Sequence, residues 1–183
     1  MLYLLLAEGF EETEAVAPLD VLRRAGIPVK TVGITGKIVQ STHGLTVTAD
    51  ILPEDVKFND MDGIILPGGM PGTLNLQKDE FVGKALDYCA QNKKLVAAIC
   101  AAPMILGELN LLDGRNATCF PGFEENLSGA NIVDDSIARD ENFITGKGAG
   151  VALEFGAEIV DYFTENTDKG PGGFKVLKKM QIR

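Results

Sequence analysis

The 183-residue sequence is poor in metal-ligating side chains, with one histidine and three cysteines. His43 stands alone, and Cys89, Cys100 and Cys119 lack zinc-ligand spacing, so no metal site is expected. Three scattered thiols imply no disulfide framework. No apolar run reaches the roughly 18–20 residues of a membrane-spanning helix, which argues against a membrane partner. The apolar start, Met1-Leu2-Tyr3-Leu4-Leu5-Leu6-Ala7, is too short for an export signal and lacks a basic flank. A reducing cytoplasm is therefore the expected compartment. Positive charge is also scarce: 17 Lys and Arg face 26 Asp and Glu, a net charge of −9. Such a surface repels phosphate backbones, which argues against nucleic acid as a partner. Neither a Walker A pattern nor G-x-G-x-x-G occurs.

What is present is a globular composition, 45% hydrophobic and 23% charged, long enough for one domain spanning residues 1–183. Short apolar runs alternate with helical patterns. Residues 3–7, 27–34, 63–66, 95–99, 117–120, 132–133 and 142–145 read as strands. Residues 45–49 alternate as a half-exposed strand does. Helical spacing is clearest around Phe81, Val82, Ala85, Leu86 and Cys89, over 103–109, and over 152–163. A helix after the first strand ends at Arg23-Arg24-Ala25-Gly26. The tail, residues 169–183, is expected to pack as a short closing element. Continuous apolar strands between helices predict a mostly parallel sheet with helices on both faces. Ligands of such sheets bind beyond the carboxyl ends of the strands.

Three unusual segments fall at those ends. Cys100 sits where Leu95-Val96-Ala97-Ala98-Ile99 gives way to Ala101-Ala102-Pro103, a strand-to-helix corner resembling a nucleophile elbow with cysteine in place of serine. A helix end stabilises an anion by about 0.3–1 kcal/mol, so the position favours a reactive thiolate; the equal alternative is a cysteine simply packed at a tight strand end. Glu8, Glu11, Glu12 and Glu14 crowd the turn after the first strand, and Pro18 falls four residues beyond Glu14. Proline cannot donate to the Glu14 carbonyl, so a bend is expected that aims a carboxyl toward Cys100. Desolvation there would raise the carboxyl's pKa toward neutrality; the alternative is a solvated helix start whose carboxylates only complement the helix dipole. Pro67-Gly68-Gly69 either offers open backbone amides to an oxyanion or oxidised sulfur, or is a plain tight turn. Gly146-Lys147-Gly148-Ala149-Gly150 either borders the same crevice or caps a helix. His43 lies in a turn and reads as solvent-exposed. Cys89 reads as core, and Cys119 as a strand residue ending near the site.

These elements together resemble the DJ-1/PfpI superfamily, and within it the DJ-1/ThiJ/YajL branch. The resemblance rests on Glu11-Glu12-Thr13-Glu14 with Pro18 and Asp20, Leu66-Pro67-Gly68-Gly69, and Ala97-Ala98-Ile99-Cys100-Ala101-Ala102-Pro103. It continues through Thr145-Gly146-Lys147-Gly148 to Glu154-Phe155, in the same order over nearly the whole chain. It implies a flavodoxin-like three-layer sandwich, a homodimer, and Cys100 as the reactive cysteine with Glu14 in contact. It also implies that the backbone N–H groups of Gly69 and Ala101 flank the sulfur.

The activities it implies act on small α-oxoaldehydes or glycated substrates, of glutathione-independent glyoxalase or deglycase type, with no required cofactor. The alternative is a non-enzymatic redox sensor or chaperone responding through oxidation of Cys100. One departure stands out. Many relatives place a histidine before the proline of the strand after the cysteine helix, whereas this chain has Thr118-Cys119-Phe120-Pro121. Cys119 and Phe120 thus become the expected site wall, the third member of a Cys-Glu-His set is missing, and a protease reading is weak.

Overall fold

The computed structural model describes residues 1–167 and 172–182. Its strands are β1 (Leu2–Leu6), β2 (Val29–Gly33), β3 (Ile38–Gln40), β4 (Thr46–Thr48), β5 (Gly63–Leu66), β6 (Leu95–Ile99), β7 (Asn116–Ala117), β8 (Asn131–Ile132), β9 (Ile137–Asp140) and β10 (Phe143–Gly146). The helices are α1 (Glu12–Arg24), α2 (Gly72–Lys78), α3 (Glu80–Gln91), α4 (Pro103–Glu108), α5 (Ala152–Thr164) and α6 (Gly173–Lys179).

The main sheet has the order β2-β1-β5-β6-β10-β9, parallel throughout except for the antiparallel edge strand β9. Its five parallel strands follow the flavodoxin-like order, which reverses direction between β1 and β5. Period-two alternation divides β1 cleanly between two cores. Leu2, Leu4 and Leu6 pack with Ala15, Val21 and Leu22 of α1 and with Phe155 and Ile159 of α5. Tyr3 and Leu5 face the opposite layer, with Val82, Leu86 and Cys89 of α3. The Cys89 thiol is 3.3 Å from the Met61 sulfur, deep in that second core.

The β5 and β6 bounds coincide with the sequence reading, and the half-exposed 45–49 strand is β4, in a two-stranded hairpin with β3 outside the main sheet. The closing element is α6, packed on α5, while Lys169, Gly170, Pro171 and Arg183 of the expected tail lie outside the described residues. Strand β9, the short strand β3 and helix α2 carry no clear periodicity, and α2 opens on Gly72 after a glycine-rich turn. Helix α3 begins at a conventional cap: the Asp79 carboxylate accepts from the N–H of Phe81 at 2.9 Å and of Val82 at 3.4 Å. Asp79→Ala is expected to cost about 1 kcal/mol, measured by urea unfolding.

Candidate active site

Four loops leave the carboxyl ends of β1, β5, β6 and β10 and converge where the sheet order reverses. The first two are locked backbone to backbone. The Glu11 N–H donates to the Gly68 carbonyl at 2.9 Å, and the Gly72 N–H donates to the Gly9 carbonyl at 3.1 Å. Only glycine permits this approach: a Cβ on Gly69 (φ +91°) would lie 2.4 Å from the Glu11 nitrogen. Glu11 then caps α1, its Oε2 accepting from the Glu14 N–H at 2.7 Å. That cap fixes the first helical turn and points Glu14 back into the crevice, where it is 1% exposed.

Cys100 occupies the tight turn after β6 with φ +65°, a left-handed conformation that L side chains rarely adopt. Its N–H donates to the Gly146 carbonyl at 2.8 Å, and its own carbonyl accepts from the Phe120 N–H at 2.9 Å. The strained turn is thus held from both sides by later parts of the chain. Its sulfur hydrogen-bonds the Glu14 carboxyl and receives the backbone amides of Ala101 and Gly69. The Glu14 carboxyl accepts from the Gly68 N–H at 2.9 Å and from the Ala149 N–H. A Cβ on Gly68 would come within 2.7 Å of Glu14 Oε2 and 2.8 Å of Cys100 Cβ, so the cradle fits around a bare backbone.

Burial pushes the Glu14 carboxyl up to about 7, against the pull of its hydrogen bonds with Cys100 and the two amides. The Cys100 thiol moves opposite to the acidification expected of a helix end. Burial, and next the charge and hydrogen bond of Glu14, push the thiol up to about 12, and the Ala101 and Gly69 amides only moderate this. The physical reason is local. Helix α4 has six residues and starts at Pro103, beyond the turn, so its end offers little against a desolvated sulfur facing a carboxylate. The two groups form a coupled pair competing for protons.

The remaining expected residues fall as follows. Cys119 is buried beside Thr118 and lines a hollow of about 340 Å³ with Glu124, Ile132 and Lys147. Burial raises its thiol to about 11. Phe120 is 47% exposed, and its ring flanks Gly148 next to Glu14. His43 is exposed, with Nδ1 3.1 Å from Glu12 Oε1. It joins Glu11 and Glu12 in the one group among the described residues that could ligate a metal ion, a group that includes neither Cys100 nor Glu14. Sequence reasoning left the role of the 146–150 loop open. The structure places the Ala149 amide on Glu14 and Gly148 beside Phe120. A run of glycines signals a turn but not which neighbour its amides reach.

The DJ-1/PfpI family model matches residues 1–162. The Parkinson disease protein 7 homolog of Danio rerio is 38% identical over 162 residues, covering 86% of each chain. A crystal structure of a DJ-1 superfamily protein from Salmonella typhimurium superposes with a TM-score of 0.91 at 28% identity, covering 100% of this chain and 98% of that one. Oxidized Toxoplasma gondii DJ-1 gives a TM-score of 0.90 at 28% identity, covering 98% and 97%.

Proposed function

Because the chain belongs to the DJ-1/PfpI family, we propose that it converts α-oxoaldehydes, free or as adducts on proteins, to 2-hydroxy acids without glutathione. The observation that carries this reading is a buried carboxyl titrating near 7 in hydrogen contact with a thiol on a strained elbow. A proton carrier works best with a pKa near the working pH.

The pair explains how a thiol held near 12 can act as a nucleophile. The Glu14 carboxylate takes the Sγ proton as sulfur attacks the aldehyde carbon, so no free thiolate has to accumulate. Glu14 passes that proton to the adduct oxygen, giving a hemithioacetal, and is a carboxylate again. Glu14 then removes the hydrogen from that carbon and returns it to the neighbouring one, while the hydroxyl proton passes to the former ketone oxygen, leaving a thioester of the 2-hydroxy acid. Water cleaves the thioester, releasing the acid and restoring the thiol. The Gly69 and Ala101 amides face the sulfur, where they support developing negative charge.

The test is direct. Purified protein with methylglyoxal and no glutathione should yield lactate, and Cys100→Ser should yield none. Lactate no higher than that of Cys100→Ser would overturn the reading. Phe120→His, which restores an imidazole at the wall, is expected to raise turnover about tenfold by adding a second proton carrier, read as kcat on methylglyoxal.

The second reading is a sensor in which Cys100 is oxidised to the sulfinate. Supporting it, Cys100 is partly accessible whereas Cys89 and Cys119 are buried, and a relative is described as oxidized. Mild peroxide followed by peptide mass spectrometry should find two added oxygens on Cys100 first; earlier oxidation of Cys89 or Cys119 would sink this alternative. Either reading is consistent with one DJ-1/PfpI domain, paired as a homodimer in the cytoplasm, and light scattering measures the pairing. Among the described residues no helix is long and apolar enough to cross a membrane.

A further inference from the structure

An open hollow of about 400 Å³ adjoins the Cys100–Glu14 pair, lined by Phe120, Pro121, Lys147, Gly148, Ala149 and Val151. Its wall is tied to that pair through two backbone contacts. The Ala149 amide reaches Glu14, and the Cys100 carbonyl holds the backbone of Phe120. A Cβ built on Gly148 would lie 3.3 Å from Phe120 Cδ2 and 3.8 Å from Glu14 Oε1, so ring and carboxyl border one point. The Lys147 ammonium is turned away, bonded to the Asp134 carbonyl at 3.0 Å and to its carboxylate. An apolar bay with an exposed aromatic ring is far larger than the methyl group of methylglyoxal.

We propose that this site selects α-oxoaldehydes whose ketone carbon carries an aromatic or bulky apolar substituent, seated against Phe120 in the bay beside Gly148. The proposal rests on the α-oxoaldehyde reading and names its substrate class. With the aldehyde carbon at Cys100 and the neighbouring carbon near Glu14, the substituent points into this bay. Phe120 is then a specificity-determining residue. One added methylene in an apolar pocket changes selectivity by about 10-fold or more, and a phenyl ring in place of methyl adds more buried surface than that.

The test compares phenylglyoxal with methylglyoxal, and their products mandelate and lactate. Wild type should favour phenylglyoxal in kcat/KM by about tenfold or more. Phe120→Ala should cut that ratio at least fivefold, and Phe120→Tyr should restore it. Separately, amide NMR titration should show mandelate binding about tenfold more tightly than lactate, with shifts at Gly148, Ala149 and Val151. Equal kcat/KM values, or a ratio indifferent to Phe120→Ala, would overturn the proposal, as would equal binding of the two acids. Mandelate selectivity without turnover of either aldehyde would sustain the bay and sink the activity reading instead.

Discussion

Glu14→Gln is expected to stop α-oxoaldehyde turnover and, above neutral pH, to raise the melting temperature. The loss of activity follows from removing the proton carrier, about a thousandfold in kcat. The gain in stability follows from linkage. The carboxyl titrates near 7 in the folded chain against 4.5 as its ordinary value, so between those limits the folded state holds a proton that the unfolded state has released. Stability from this group is therefore full below pH 4.5 and declines as pH rises through 7. Crossing that interval costs about 1.4 kcal/mol for every tenfold fall in proton concentration, so the whole decline is a little over ~3 kcal/mol. A neutral amide of the same shape escapes it. Thermal melts of both proteins at pH 5 and pH 8 should show the variant gaining several degrees at pH 8 and little at pH 5. A variant less stable at pH 8 by as much as at pH 5 would refute the buried, neutral-range carboxyl.

Gly69→Ala is expected to damage fold and site together. The new Cβ would meet backbone only: 2.4 Å from the Glu11 nitrogen, 2.7 Å from the Gly9 carbonyl oxygen and 2.8 Å from the Phe10 carbonyl carbon. No side chain can swing aside, and φ +91° adds strain for any L side chain. A cost of about 3–5 kcal/mol follows, or roughly a 10 °C fall in melting temperature for a chain of this size. Lost activity should exceed lost stability, because the same contact fixes Glu11, and Glu11 caps the turn that carries Glu14. Gly83→Ala is the control. Nothing lies within 4 Å of that Cβ inside α3, so it is expected to stabilise by up to about 1 kcal/mol. A melting temperature unchanged by Gly69→Ala would disprove the locked loops.

The sheet and its elbow were legible because β5 and β6 are unbroken apolar runs ending in abrupt changes of residue type. Glu14 was legible as a crowded acidic turn followed by Pro18, and the structure does bring its carboxyl to Cys100. Less readable was anything decided by contacts distant in sequence. The Ala149 amide reaches Glu14 from across the chain, and no local pattern marks it. The thiol's titration went the opposite way from the helix-end expectation because burial and a neighbouring carboxylate act in three dimensions. Strand β9 escaped notice because Ile137-Ala138-Arg139-Asp140 lies on an edge and carries charge, with Arg139 engaged by Glu158 of α5 and Glu165 just beyond it.

The two backbone bonds that hold Cys100 in its left-handed turn have a consequence for the order of events during synthesis. Both partners, the Phe120 N–H and the Gly146 carbonyl, are made after Cys100, and the Ala149 amide later still, whereas Glu14 emerges near the beginning. A nascent chain that has passed Cys100 but not Gly146 carries the thiol on an unlocked turn, without its full set of partners. The Cys100–Glu14 arrangement is therefore completed late, when most of the chain has been made. A chain that stalls midway is released without the locked elbow.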